Sequence, residues 1–267
     1  MEKAVPTEGI VGFFDILGYK SFLANNSVEQ AAQEVLDTLS NIDKRVGDLM
    51  FPSKEKSHEK LLAKFKWLVF SDTILLTTTF EDAKDARAKA HHWISFVLVC
   101  LMLNRHLFDY GLPLRGCLSN GHFLLVNNCF AGEPIIKCYE MVKDLELAAT
   151  VLTDDAKKHL EGLTREAGLD PQFASIGMLD YLVPRKSEKK EKLRTLNPCG
   201  VWAPFIPEIK KTDIRQYVLD SFWSFKKDLP PEVIQKVTNT ELFLRHTTVS
   251  PSVNSRVSAS VSSIKSP

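Results

Sequence analysis

The most constraining feature of the sequence is a pair of apolar runs on either side of Ser71-Asp72. Residues 65–70 (FKWLVF) and 73–79 (TILLTTT) are strand-like arms around a two-residue polar turn, a pattern that predicts a β-hairpin. Because the strands of a hairpin run antiparallel, this segment favours a mixed or antiparallel sheet over a wholly parallel one.

Other segments predict further strands and helices. Residues 9–14 form an apolar run that ends at Asp15-Ile16-Leu17-Gly18, as in a buried strand that stops in a glycine turn. Helical stripes predict helices over 28–49 and 81–108, with a charged loop at 51–60 between them. Residues 112–132 are interpreted as a second hairpin, with Asn120-Gly121 at its turn.

The second half of the chain also contains predicted strands and helices. A helix is predicted to begin at Gly132-Glu133-Pro134, and a strand to lead into a helix capped around Asp154. Residues 184–194 are interpreted as a basic, solvated loop, and 200–205 as a further strand. This order predicts an α+β fold with helices on one face of a mainly antiparallel sheet. We expect one unit over 1–246, with core motifs in 8–150, a C-terminal elaboration in 151–246, and a mobile tail over 247–267.

Composition limits the partners and the compartment. The formal net charge is +1, so no overall field favours nucleic acid or an anionic membrane. The five cysteines include no C-x-x-C pair, which disfavours a disulfide framework or a zinc ribbon. The first residues lack an apolar signal-peptide core, and the longest apolar stretch is too short to span a bilayer. We therefore expect a cytoplasmic protein with no nucleic-acid or membrane partner.

A pair of carboxylates carries the main chemical signal. Asp15 ends the first strand and Asp72 lies at the hairpin tip; if these strands are neighbours, both side chains reach one end of the sheet. Two nearby carboxylates suit Mg²⁺ or Mn²⁺, which also binds substrate phosphates. The alternative for each residue alone is an ordinary turn former or helix cap.

The segments around these aspartates resemble a known enzyme family. FFDILGYKSFL and FSDTILL resemble the two metal motifs of class III adenylate and guanylate cyclases, LRGCLSNG resembles their fourth strand, and FAGEPIIKCYEM stands in the place of their catalytic helix. The closest resemblance is to the pyrimidine cyclases of Pycsar anti-phage defence. It implies a ferredoxin-like α+β sandwich, a homodimer, and cyclisation of a ribonucleoside triphosphate, with UTP or CTP favoured, to a 3′,5′-cyclic nucleotide and pyrophosphate.

The resemblance also assigns roles to residues. Asp15, Asp72 and the backbone carbonyl of Ile16 would hold two Mg²⁺ or Mn²⁺ ions. The backbone amides of Leu17, Gly18 and Tyr19 would bind the β- and γ-phosphates. Lys66 and Trp67 precede the second metal motif and are candidates for contacting the base, with Trp67 alternatively a core residue.

Three positions depart from the family pattern. Ile136 and Glu140 stand where the family has a catalytic Asn and Arg, and Leu68 stands where adenylate cyclases have a purine-reading Lys. Arg115 is the first candidate to replace the catalytic cation, with a structural salt bridge as its alternative. Lys137 and Lys143 are further candidates, with a solvated helix face as theirs.

Two other functions remain open at this point. One is a cyclase-fold protein without turnover that binds nucleotide or regulates a partner, which Glu140 favours and the two aspartates disfavour. The other is a metal-dependent phosphoryl-transfer enzyme or nuclease that uses the same two carboxylates.

Overall fold

A computed structural model describes residues 5–27, 29, 33, 64–126, 129–186, 190–198 and 213–249. The strands of the described chain are β1 (Thr7–Ile16), β2 (Lys66–Phe70), β3 (Thr73–Thr79), β4 (Leu114–Val126), β5 (Cys129–Ala131), β6 (Thr150–Leu152), β7 (Met178–Pro184) and β8 (Lys190–Leu196). Its α-helices are α1 (Tyr19–Asn25), α2 (Ala86–Tyr110), α3 (Glu133–Asp144), α4 (Asp154–Glu166), α5 (Ile214–Trp223) and α6 (Pro231–Val249). Two 3-10 helices span Pro171–Ser175 and Ser224–Lys226.

The strands form a sheet in the order β2-β3-β1-β4-β6-β8-β7, with β5 paired to β4. The first four strands are mutually antiparallel, and their order, with helices after β1 and after β3, is that of a ferredoxin-like unit. In the described chain the one parallel pair is β4 with β6. The predicted α+β class with a mainly antiparallel sheet is confirmed.

The hairpin around Ser71-Asp72 is confirmed as β2 and β3, paired from Lys66 opposite Thr77 to Phe70 opposite Thr73. Ser71 adopts the left-handed conformation, with φ 55°, which a tight two-residue connection requires.

Helix α2 forms the centre of the main core. The helix predicted over 81–108 begins later, because Asp85 caps it by accepting a hydrogen bond from the Ala88 backbone N–H at 2.7 Å. It ends where Gly111 turns left-handed, with φ 88°. The fully buried side chains of Trp93 and Phe96 pack against the face of the sheet that carries Ile10 and Phe14.

Helix α3 packs on the opposite face of the sheet, so the expectation that all helices share one face is wrong. Ile135 packs against Val11 and Phe123, whose side chains alternate with those facing α2. This apolar second face explains why a helix covers it.

The turn of the second hairpin was predicted at the wrong position. β4 runs without interruption through Asn120 and Gly121, because β1 pairs with it from Thr7 opposite Phe123 to Ile16 opposite Leu114. The reversal falls later, between Val126 and its partner Cys129. A long neighbouring strand therefore outweighs the local turn preference of Asn-Gly.

The segment 184–194 is not a loop throughout. β7 ends at Pro184, and Lys190 begins β8, which lies inside the sheet between β6 and β7 and buries Leu193. The first residues of the predicted tail at 247–267 belong to α6, which continues to Val249 and buries Thr247; the rest of that tail lies outside the described residues. The helix stripe over 28–49, except for positions 29 and 33, lies outside the described residues, as do the loop at 51–60 and the strand at 200–205. Within the described ranges, no helix is both long and apolar enough to cross a membrane.

Close strand packing at Gly116 gives a test of the fold. A Cβ at Gly116 would lie 2.4 Å from Phe14 Cδ1 and 2.6 Å from Thr150 Oγ1, so Gly116→Ala is expected to lower the free energy of unfolding by about 2 kcal/mol. Gly162, inside α4, has nothing within 4 Å of such a Cβ, and Gly162→Ala is expected to raise it by about 0.5–1 kcal/mol. Urea unfolding measures both; a neutral Gly116→Ala would contradict this packing of β1, β4 and β6.

Candidate functional site

The central strand β1 brings the two strand-end aspartates to one end of the sheet. Asp15 pairs in register with Thr73, the residue after Asp72. The backbone N–H of Ile16 donates to the Asp72 carbonyl at 2.8 Å. The hairpin tip therefore lies directly beside the end of β1, where Asp15 and Asp72 were expected to meet.

Arg115 lies on the other side of Asp15. It pairs with Asp15 in register on β4, and its Nε donates to Asp15 Oδ2 at 2.7 Å, with side chains 14% and 21% exposed respectively. Its Nη1 donates to the carbonyl of Leu145, just after α3, at 3.3 Å. Arg115 is thus both the predicted site cation and a partner of the predicted metal ligand.

The pKa of Asp15 is raised by its surroundings. Burial is the largest cause, and the negative charge of Asp72 adds to it, while Arg115 and the charge of Lys186 pull the pKa down. The net rise means that Arg115 only partly offsets the loss of water around this carboxylate. A divalent cation would supply the missing positive charge.

Lys186 is a functional candidate that the sequence did not reveal. It follows Arg185 at the end of β7, its N–H donates to the Asp144 carbonyl at 2.9 Å, and its charge acts on Asp15. Its position near Asp15 depends on how β7 pairs within the sheet, and β7 is far from β1 along the chain. The sequence by itself shows only a run of basic residues.

The turn after Asp15 offers fewer free amides than expected. The Leu17 N–H donates to the Pro113 carbonyl at 2.9 Å, so it is not available to a phosphate in this conformation. Gly18, with φ 79°, starts α1 without a side-chain cap. The amides of Gly18 and Tyr19 remain the candidates at this helix start. Burial, followed by the charge of Asp72, raises the pKa of Tyr19.

The predicted helix cations differ in their positions. Lys137 is held at the surface by Asp155 at 2.8 Å and Glu133 at 3.0 Å. Lys143 lies over the ring of Tyr139 at 4.0 Å, and it precedes Asp144 and Leu145, whose carbonyls contact the site. Lys143 thus lies at the end of α3 that carries these carbonyls, whereas Lys137 is paired with Asp155 of α4.

The two base-contact candidates point to opposite faces. Lys66 is exposed on the edge strand β2, four residues along the strand from its end at Phe70. Trp67 packs against the main core under α2, on the face away from Asp15. The core alternative for Trp67 agrees with this geometry, and the structure does not bring Lys66 and Trp67 together.

The donor set fits a hard divalent ion bound partly by substrate. The carboxylates of Asp15 and Asp72 lie at this sheet end, near enough for the charge of Asp72 to act on Asp15. The described residues contain no group of three or more His, Cys, Asp or Glu side chains that could hold a metal. Mg²⁺ typically takes one or two carboxylates and completes its shell with water and phosphate oxygens.

Comparison with known proteins finds similar folds only. No family model matches the chain, and no curated protein matches its sequence. Among solved structures, the adenylyl cyclase CyaB from P. aeruginosa is 10% identical, with a TM-score of 0.43 over 73% of this chain and 95% of that chain. The catalytic core of a rhodopsin-guanylyl cyclase with converted specificity, in complex with ATPalphaS, is 13% identical, with a TM-score of 0.47 over 73% of this chain and 97% of that one.

A third similar structure is a class III adenylyl cyclase-like ATP-binding protein from Pseudomonas aeruginosa, 16% identical, with a TM-score of 0.43 over 64% of this chain and 37% of that chain. Because all three identities are below 25% and all three TM-scores below 0.5, we base the functional proposal on the geometry of the chain itself.

The raised pKa of Asp15 predicts a pH-dependent cost to stability. Between the unfolded and the higher folded pKa, the folded state keeps a proton that the unfolded state has released, so stability falls as pH rises through the folded pKa. Asp15→Asn removes this loss. In EDTA, the free energy of unfolding of Asp15→Asn minus that of the wild type should increase between about pH 3 and pH 7, by about 1.4 kcal/mol per unit of the pKa rise.

Asp180 provides the matched control. It also pairs in register with an arginine, Arg194; burial opposes the effect, but the hydrogen bond and charge of Arg194 leave its pKa lowered. Asp180→Asn should therefore lose stability, relative to wild type, as pH rises over the same range. Parallel pH dependences in the two variants would contradict the opposite electrostatics of these pairs.

Proposed function

We propose that this protein is a divalent-metal-dependent nucleotide cyclase, converting a ribonucleoside triphosphate to a 3′,5′-cyclic nucleotide and pyrophosphate. The observation that supports it most is the convergence of Asp15, Asp72 and Arg115 at one sheet end, next to the turn at Gly18. Carboxylates, a guanidinium and helix-start amides are the groups that hold metal-bound triphosphates.

In the proposed reaction, the ribose 3′-oxygen attacks the α-phosphorus. The new bond joins the 3′-oxygen to phosphorus, the bond from the α-phosphorus to the bridging oxygen breaks, and pyrophosphate leaves. The hydroxyl proton passes to water. Two Mg²⁺ or Mn²⁺ ions would supply charge neutralisation and acidify the 3′-hydroxyl. Asp15, Asp72 and the Ile16 carbonyl would hold them, while the amides of Gly18 and Tyr19 orient the β- and γ-phosphates.

A cation must also stabilise the charge on the departing pyrophosphate. We assign this role first to Arg115, whose guanidinium already lies at Asp15, with Lys186 as a second charge near the same carboxylate. Lys143 is a further candidate at the end of α3. Lys137 is disfavoured because its ammonium is shared by two surface carboxylates.

The base preference and biological role extend this proposal. Leu68 packs in an apolar cluster with Val11 and Leu75, at the position where the resemblance expects a purine-reading lysine. We therefore favour UTP or CTP. The resemblance to Pycsar enzymes supports an anti-phage signalling role.

A homodimer also belongs to the proposal. The resemblance implies active sites between two subunits, and apolar side chains are exposed on the second face of the sheet and on the helix that covers it. Phe70 is 76% exposed in the same row of residues as Thr73 and Asp15, and Ile136 and Tyr139 of α3 are 59% and 42% exposed. A second subunit would bury these groups.

One observation favours a second candidate, a nucleotide-binding regulator without turnover. Ile136 and Glu140 are both exposed on α3, where the resemblance expects a catalytic Asn and Arg. A site that relies on Arg115 alone, already paired to Asp15, would bind a triphosphate without cyclising it.

The proposal is tested by incubating the purified chain with each of the four ribonucleoside triphosphates and Mn²⁺, followed by mass spectrometry. We expect a 3′,5′-cyclic nucleotide and pyrophosphate, with UTP or CTP the better substrate. Binding of triphosphate without any cyclic product would instead favour the regulator, and cleavage of a polynucleotide would favour a nuclease.

Asp72→Asn is expected to abolish cyclisation and to leave the fold intact, because it removes a metal-binding charge while keeping the shape of the side chain. Mn²⁺ should raise the melting temperature of the wild type but not of this variant. Asp82→Asn, at a loop carboxylate 75% exposed beyond the other end of β3, is the matched control and should behave as wild type. Full turnover in Asp72→Asn would remove Asp72 from the site.

Arg115→Ala is expected to lower turnover by about 10³-fold, the size of effect associated with a transition-state cation. Because Asp15 then loses its partner, the variant should also lose about 1–3 kcal/mol of stability. Lys137→Ala and Lys143→Ala should keep more activity, and Lys137→Ala the most. If a lysine variant loses turnover while Arg115→Ala keeps it, the catalytic cation belongs to α3.

A further inference from the structure

Lys227 is the one charged residue among the buried residues of the described chain, with 2% exposure. It follows the 3-10 helix Ser224–Lys226. Its Nζ donates to the Gly111 carbonyl at 2.6 Å and to the Ser221 carbonyl at 3.1 Å. These carbonyls lie at the C-terminal ends of α2 and α5, where the helix dipoles favour a cation.

The side-chain stem of Lys227 lies against the turn proposed to bind phosphate. A Cβ at Gly18 would be 3.1 Å from Lys227 Cδ and 3.8 Å from Lys227 Cε. Gly18 is therefore kept free of a side chain on the side that Lys227 occupies. The lysine connects the ends of two helices to the start of a third.

The residues beside Lys227 hold α1 directly. The Asp228 N–H donates to Ser21 Oγ at 2.7 Å, and Asn25 Nδ2 donates to Asp228 Oδ2 at 3.0 Å. Asn26 Nδ2 donates to the Phe225 carbonyl at 2.6 Å. The ring of Phe225 also packs edge-on against Phe22, with centroids 5.3 Å apart. Residues 225–228 thus contact α1 along its whole length.

The backbone of this segment is strained. Phe225 and Lys226 have φ values of 60° and 55°, in the left-handed region that costs non-glycine residues of order 1 kcal/mol each. Such a conformation persists only where surrounding contacts select it, and the contacts to α1 are of this kind.

Stability alone does not account for a lysine here. Burial lowers the pKa of Lys227 to about 7, because an ammonium is costly to keep away from water. A methionine would pack the same stem at a lower desolvation cost. A lysine at this position is therefore better explained by a role in holding the neighbouring backbone in place than by a contribution to stability.

We propose that Lys227 is a positioning residue, which together with Phe225 and Asp228 fixes the turn at Gly18 and Tyr19 beside Asp15 for triphosphate binding. This inference rests on the proposed function, because it assigns a purpose to the turn. The site then also depends on a segment far along the chain, since Asp228 lies 207 positions after Ser21.

The test compares Lys227→Met with Lys226→Met in the full chain. Lys226 is adjacent and exposed, so its variant makes the same chemical change without removing the buried ammonium. Amide hydrogen exchange is measured without nucleotide, and KM and kcat are measured with triphosphate and Mn²⁺. For Lys227→Met we expect faster exchange over residues 18–26 and a KM raised about tenfold, the size of one charged hydrogen bond, with a smaller change in kcat. Lys226→Met should match the wild type.

Asp228→Ala is the second variant. Asp228 is exposed, so the substitution should spare the fold. It removes the hydrogen bonds that Asp228 Oδ2 accepts from Ser21 Oγ and Asn25 Nδ2, and it keeps the backbone N–H bond to Ser21. It should also speed exchange over 18–26 and raise KM. If both variants change only the melting temperature, leaving exchange at 18–26 and KM at wild-type values, the positioning role is overturned. The proposed function fails if the wild type makes no cyclic product. If amide hydrogen exchange over residues 18–26 is nevertheless faster in both variants, the contact of residues 225–228 with the turn is still supported.

Discussion

The backbone pairing of β1 determines the geometry of the candidate site. β1 lies between β3 and β4, and its hydrogen-bonded register brings Thr73 to one side of Asp15 and Arg115 to the other. A shift of one residue in either pairing would send Asp15 to the face packed by α2. The ten-residue length of β1, its buried Ile10 and Phe14, and the close approach of Gly116 to Phe14 all hold this register. The carboxylate site is thus a consequence of strand pairing more than of local sequence.

Local patterns were sufficient to predict the elements nearest the site. The arms around Ser71-Asp72 and the apolar run before Asp15 each carry their own strand signal, so the hairpin and the end of β1 followed from the sequence. The α+β class followed from the order of these elements. Errors arose where a distant neighbour decided the conformation. Asn120-Gly121 is extended because β1 pairs across it, and 190–194 is a strand because β7 pairs with it.

The same distinction applies to the site residues. The placement of Asp15 and Asp72 at one end of the sheet was predictable because each lies at the end of a strand with a clear local pattern. For Arg115 the sequence left a salt bridge as an alternative but did not identify Asp15 as its partner, because spacing along the chain does not show which residues are neighbours across two strands. Lys186 and Lys227 were missed because the first depends on the β7–β8 hairpin and the second on helices after residue 213. Both positions are set by tertiary contacts, which leave no periodic signal in one sequence.

The contacts between α1 and residues 225–228 have a consequence for how the chain matures. During synthesis, β1, the hairpin and β4 leave the ribosome well before Lys227 does, so the sheet has its partners while the helix after Asp15 still lacks Asp228 and Phe225. A proteolytic cut anywhere between α1 and this segment frees the two ends to separate if the remaining packing loosens. The glycine turn beside the carboxylates therefore gains its full set of contacts only after the chain has been made as far as Asp228.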